Sequence, residues 1–189
     1  MLFRSPGGVV LALLMASTAA AQTSMTPSTP SPSAARDFVP PAPTQHFTDY
    51  ASFVPASAAP RLDEKLARFE ARTGQQFLAV VFKEMPVLEP PAQTLQAFTL
   101  RTANIWSVGR KGFDRGVVLF VFVRERKLRL EVGAGVVGAL TPEAQQRIVD
   151  EKITPDLKRG DTAAGLEAGI DAVIAVLEAA PTPTPTPKP

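Results

Sequence analysis

The chain contains no cysteine and only one histidine in 189 residues. Without cysteine there is no disulfide, no thiolate metal site and no cysteine nucleophile. A single histidine leaves few ways to pair a nucleophile with a base. There is also no P-loop and no D-x-D motif. The one histidine, His46, borders a proline-rich stretch and reads as a solvated loop residue. Long hydrophobic runs are missing as well. The stretch from Val9 to Ala21 is 13 residues, short of the roughly 20 that a membrane span needs. No later segment is longer and as apolar. Basic stripes with interleaved aromatics are absent, which argues against nucleic acid as a partner.

What is present divides the chain into four parts. Residues 1–21 read as a secretory signal peptide: Arg4 gives the positive start, Val9 to Ala16 the apolar run, and Ala19-Ala20-Ala21 a small-residue cleavage site. Cleavage after Ala21 removes one base and no acid, leaving 19 bases against 18 acids and a net charge of +1. The mature chain is therefore expected to be a near-neutral protein outside the cytoplasm, periplasmic or extracellular. Residues 22–45 are rich in Pro, Ser, Thr and Ala and read as a linker. Residues 181–189, PTPTPTPKP, alternate proline and cannot form a packed core. They read as a spacer, or as a docking peptide for a proline-recognising partner. Residues 46–180 remain as one domain, whose stability must come from its core.

Within that domain Leu62, Leu66 and Phe69 share one helical face, and Gly74 is a natural stop. Residues 77–82, FLAVVF, form an apolar run of strand length, ended by Pro86, Pro90 and Pro91. Leu95, Phe98, Thr102, Ile105 and Trp106 line one side of a second helix, with Trp106 in the core. Residues 117–123, VVLFVFV, read as a strand buried on both faces. A polar turn, Arg124-Glu125-Arg126, leads to residues 127–132, KLRLEV. Their alternation predicts an edge strand with one wet face and one dry face. Thr141-Pro142-Glu143 starts a helix that meets Pro155, where a break or kink is expected. Asp161 caps a last helix with Leu166, Ile170, Val173 and Leu177 on its buried stripe.

The fold class is therefore α/β, with helices on both faces of a small mixed sheet. The first two strands run parallel through a right-handed crossover helix, and the second and third form an antiparallel hairpin. Residues 47–53 add a short strand or wrap the edge.

The stretch 131–141, EVGAGVVGALT, contains G-x-G-x-x-G. A dinucleotide fingerprint needs its last glycine inside a helix and a later strand bearing an acid. Here the helix begins only at Thr141, and another helix follows, so no nucleotide cofactor is expected. The hairpin does bring this stretch beside Gly109-Arg-Lys-Gly-Phe-Asp-Arg-Gly116. Gly112, Gly116, Gly133, Gly135 and Gly138 would then shape a shallow cleft around Asp114, suited to a hard cation such as Ca²⁺. The same spacing also fits two ordinary turns with Asp114 capping loop amides.

Several segments together resemble one family. They are WSVGRKGFDRGVVL from Trp106, RKLRLEVGAG from Arg126, Leu140-Thr141, Ile153-Thr-Pro155 and Arg159-Gly-Asp161. In this order and spacing, with HFTDYA from His46, they resemble the TPM domain family. That family is named for thylakoid-lumen, photosystem-repair and receptor-maturation members. The resemblance implies a three-layer α/β/α sandwich outside the cytoplasm, linked to upkeep or assembly of membrane complexes. Some members are described as acid phosphatases and some bind calcium. It also implies Asp49 and Asp114 as candidate metal or active-site carboxylates. The chain departs from the family's pattern in three places. Arg115 stands where Asn is usual and favours an anion, phosphate or carboxylate. Val137 stands where Glu is usual, and a Pro/Thr tail replaces a C-terminal membrane helix.

Two functions follow as expectations. One is a non-catalytic interaction or assembly module for envelope or membrane complexes. The other is a metal-dependent acid phosphatase with Asp49 and Asp114 as ligands of Ca²⁺ or another divalent cation, which could activate water without histidine. Arg124, Arg126, Lys127 and Arg129 form either a solvated edge or a contact with an anionic membrane surface.

Overall fold

A computed structural model describes residues 39–86, 94–109 and 114–180. The signal peptide, most of the linker, Gly112 and the tail lie outside the described residues. Two apolar runs form the middle of the sheet: β2 (Gln76–Phe82) and β3 (Gly116–Phe122). They pair in parallel, with Phe77 opposite Val117 and Val81 opposite Val121. β4 (Lys127–Val132) returns antiparallel to β3, and β1 (Phe47–Asp49) adds a parallel strand beside β2. The order is β1-β2-β3-β4.

α1 (Ala59–Thr73) joins β1 to β2, and α2 (Leu95–Trp106) joins β2 to β3. α3 (Pro142–Arg147), a π-helical segment (Ile148–Ile153), α4 (Thr154–Arg159) and α5 (Thr162–Ala179) follow the hairpin. Alternation along the strands sends side chains to two cores. Phe77, Ala79, Val81, Val117, Leu119 and Val121 pack with Leu62, Leu66 and Phe69 of α1 and Leu166, Ile170 and Val173 of α5. Leu78, Val80, Phe82, Val118, Phe120 and Phe122 pack with Phe98 of α2 on the other face. Helices thus cover both faces, making an α/β/α sandwich. With β1, β2 and β3 in consecutive order and α1 and α2 on opposite faces, the two crossovers have opposite hands. The general right-handed preference therefore holds for only one of them.

The local stop and start signals act as their chemistry requires. α1 ends at Gly74, left-handed at φ 69°. Thr141 and Asp161 cap α3 and α5 by accepting from the amides of Ala144 and Ala164. The helix that starts after Thr141 turns π-helical at Ile148, and a new α-helical stretch begins at Thr154, so the regular helix is interrupted just ahead of Pro155. Pro155 sits in the first turn of α4, directly after the π-helical segment, where its missing N–H is least costly.

Three sequence expectations need correction. Ile105 is 55% exposed, because the buried stripe of α2 is turned toward Thr99, which is fully buried. Trp106 is only partly buried. Glu131 was expected on a wet face of β4 but is 9% exposed, because that face packs against α2.

A polar tie joins α1 to α5. Lys65 Nζ lies 2.8 Å from Glu167 and 2.7 Å from Asp171. Burial pulls the Lys65 ammonium down, but the bonds it donates to Asp171 and Glu167 outweigh it and hold it above its ordinary range. The bond from Lys65 holds Glu167 below the ordinary carboxylate range. Stability from a lowered carboxylate is present above its unfolded value, about 4.3, and is lost as pH falls through the folded value. We therefore expect Lys65→Met to cost about 1 kcal/mol or less at neutral pH, as partly exposed pairs do. The gap between mutant and wild-type melting temperatures should close as pH falls below the ordinary carboxylate range. A gap that widens in acid would contradict this.

Candidate functional site

The two candidate carboxylates can be placed from strand register. Asp49 ends β1 opposite Val81, which is itself opposite Val121. Asp114 precedes β3 at its other end. Most of the length of β3 separates them, about 20 Å at the rise of an extended strand. The structure therefore does not bring Asp49 and Asp114 into one site.

Each carboxylate has local work. Asp49 Oδ1 accepts from the amide of Ala51 at 2.9 Å, and Oδ2 accepts from Phe53 at 2.8 Å and Val54 at 3.0 Å. The side chain closes the turn that carries the chain from β1 toward α1. Beside it the exposed ring of Tyr50 stacks on Phe82 at 5.6 Å. Asp114, left-handed at φ 53°, accepts from the amide of Ala134 through Oδ2 at 3.2 Å. Its carbonyl accepts from Gly135 at 3.3 Å. Aspartate tolerates this conformation better than most residues.

The glycine segments do meet around Asp114. Gly133 donates to the carbonyl of Gly116 at 2.8 Å, which extends the β3–β4 ladder by one step. A Cβ on Gly133 would stand 2.0 Å from the Asp114 carbonyl oxygen. A Cβ on Gly109 would stand 2.1 Å from the amide nitrogen of Gly116. Backbone fills the space that side chains would otherwise take. Gly138 differs: nothing lies within 4 Å of a Cβ there. Gly135 and Gly138 are exposed. Gln76 Oε1 accepts from Gly109 at 2.9 Å, which fixes the end of α2 to the start of β2. Arg115, beside Asp114, is 9% exposed, and its Nε has no hydrogen-bond partner among the described residues.

Two polar clusters escaped the sequence reading. Glu131 Oε1 accepts from Thr99 Oγ1 at 2.6 Å and lies 2.5 Å from Arg129 Nε. Its ion pair explains how an acid is tolerated between α2 and β4. His46 is not a solvated loop residue. Its Nε2 lies 2.6 Å from Glu70 on α1, and its side chain is 26% exposed. Asp63 accepts from the amides of His46 and Phe47, at 2.7 and 2.9 Å. The N-terminal approach is held on the other face too, where Trp106 Nε1 donates to the carbonyl of the buried Pro40 at 2.7 Å. Among the described residues no three His, Asp or Glu side chains are grouped as a metal site.

These features define a mixed-sheet α/β/α domain with a glycine-closed end. Comparison with known proteins places it. The TPM domain profile matches residues 47–176, and the chain belongs to the TPM domain family. It is similar to the N-terminal domain of a P. gingivalis protein solved by NMR, with 27% identity and a TM-score of 0.61. That match covers 71% of this chain and 83% of the other. A second NMR structure, the N-terminal domain of a Corynebacterium glutamicum protein, shares the fold at 12% identity and a TM-score of 0.50. It covers 77% of this chain and 86% of the other. No curated protein matches the chain.

The glycine contacts carry a direct test. Gly133→Ala should cost several kcal/mol, since a methyl group cannot share space with a backbone carbonyl; the range of about 1–3 kcal/mol for overpacking is a lower guide. Gly138→Ala should fall within about 0.5 kcal/mol of wild type, as open surface positions do. Urea denaturation of both variants would decide, and equal effects would refute the packing role.

Proposed function

We propose that this TPM domain is a non-catalytic interaction module, exported from the cytoplasm, that serves the assembly or upkeep of envelope or membrane protein complexes. The observation that carries this reading is the employment of Asp49 and Asp114. They stand at opposite ends of the sheet; Asp49 holds three amides of its own turn, and Asp114 accepts from the amide of Ala134 in the glycine segment after β4. Metal-assisted hydrolysis by this pair would need both at one ion. Export rests on the sequence of residues 1–21. The basic hairpin fits a protein partner better than an anionic bilayer. Arg124 is paired with Glu84 and Arg129 with Glu131, so two of its four cations already have acids.

The test is phosphate release from a generic phosphate ester, at acid and neutral pH, with Ca²⁺, Mg²⁺ or EDTA. The expected result is release no faster than the blank, and no cation-specific rise in melting temperature. Turnover that disappears in Asp114→Asn would replace this proposal with the metal-dependent phosphatase. Recovery of a reproducible membrane complex on the mature chain from an envelope fraction is the matching positive result.

A further inference from the structure

β4 is an open edge of the sheet. It pairs with β3 on one side, and no described strand lies on the other. Which of its backbone groups face outward follows from the bonds of its neighbours. Val123 donates to the carbonyl of Phe82 at 3.1 Å, so the odd-numbered residues of β3 turn their N–H and C=O toward β2. The even-numbered ones turn toward β4, as the bond from Gly133 to the carbonyl of Gly116 shows. In register, Val118 lies opposite Glu131, Phe120 opposite Arg129 and Phe122 opposite Lys127. Those three residues of β4 therefore spend their backbone groups on β3. Leu128, Leu130 and Val132 present theirs at the open edge. No hydrogen bond from another described element reaches them.

An open edge invites another strand, and proteins block it with proline, a bulge or repelling charge. β4 has no proline and pairs with β3 without a bulge. Its charges alternate in sign rather than repel. Arg129 and Glu131 lie on the face of α2 and pair with each other at 2.5 Å. Leu128, Leu130 and Val132 lie on the opposite face and join the larger core.

A second copy of β4, antiparallel and with Leu130 opposite Leu130, answers each of these features. Leu128 then faces Val132 on both sides of the two-fold axis. Each of the three facing pairs exchanges two backbone bonds, about six in all. Arg129 stands opposite the second copy's Glu131, and Glu131 opposite the second copy's Arg129. With the pair already present in each chain, the four charges alternate in sign around the axis. A slip of two residues keeps the backbone bonds but sets Arg129 against Arg129 or Glu131 against Glu131, and like charges directly opposite are destabilising. A slip of one residue sets charged side chains against leucines. The strand is thus complementary to itself in one register, as a closed two-fold contact requires.

We propose that β4 is a self-association edge, through which two copies of the chain form one continuous sheet of eight strands, four from each. This goes beyond the interaction-module reading and does not depend on the identity of any other partner.

The test is sedimentation equilibrium of the mature chain 22–189 from micromolar to millimolar concentration, with residue-level hydrogen exchange by NMR over the same range. The mass should pass from one chain to two. Exchange should slow at the amides of Leu128, Leu130 and Val132, and stay unchanged at Arg129 and Glu131, which are already bonded to β3. In a half-labelled sample the methyls of Leu128 should show cross-chain contacts with those of Val132. Leu128→Pro keeps every bond to β3, because the lost N–H faces outward, a place where edge strands accept proline. It should weaken association about tenfold or more. If that variant fails to fold, the wild-type exchange and labelling results decide alone. A single-chain mass throughout, a dimer that leaves the three amides unprotected, or a folded Leu128→Pro that associates as before would each overturn the proposal. Protection of those amides only on addition of an envelope fraction would overturn it too, and would give the edge to another protein's strand.

Discussion

Everything in this domain follows from two strands that have no wet face. Every residue of β3 is buried, and in β2 only Gln76 is not. A parallel pair of that kind is stable only with a layer on each side. The chain supplies α2 on one side and α1, the π-helical segment, α4 and α5 on the other. The alternation that sorts Phe120 from Leu119 also sorts the smaller, phenylalanine-rich core under α2 from the larger, mainly aliphatic core under α1 and α5. Once both faces are sealed, polar chemistry can survive only at the ends and edges of the sheet, or as paired groups between layers. The Thr99–Glu131–Arg129 cluster is of the second kind.

The ends are closed by different means. At the C-terminal end of β1 a side chain does the work: Asp49 gathers three amides into one turn. At the N-terminal end of β3 backbone does it, with Gly109, Gly116 and Gly133 in contact closer than any Cβ allows. This explains Gly133, the first glycine of a pattern that mimics a nucleotide fingerprint, while the last, Gly138, has open space around it. The fingerprint's glycines let a phosphate approach the chain, whereas Gly133, with Gly109 and Gly116, lets the chain approach itself. The same close approach leaves Asp114 only an accessory part, one bond to Ala134.

Much of this was legible in the sequence, and the exceptions share a cause. Residues 77–82 and 117–123 declare themselves by composition, and Gly74, Thr141 and Asp161 by stop and cap chemistry. Those are local properties, and local physics decides them. The alternation in β4 tells which residues share a face, but not whether a helix covers that face; hence the misplaced Glu131. The pairing of His46 with Glu70 and the turn of α2 away from Ile105 depend in the same way on which element lies opposite. The separation of Asp49 from Asp114 needs one further fact, the parallel register of β1. Three residues, FTD, are too few to reveal that by pattern, although both aspartates were found by family motif.

Arg115 is where the local and global readings meet. In sequence it is a departure from the family's usual Asn beside an aspartate, and it pointed to an anion near Asp114. In the structure, alternation turns it away from the exposed Asp114 loop and onto the face of α1 and α5, next to Gln75. A charge in that position cannot be read as part of the glycine-closed turn, because its side chain lies on the buried face beside a different set of groups. The replacement therefore changes a different surface from the one its neighbours in sequence build. There a buried guanidinium stands beside the buried amide of Gln75, an N–H donor next to a carbonyl acceptor, which is a physical reason for the residue to be tolerated on that face.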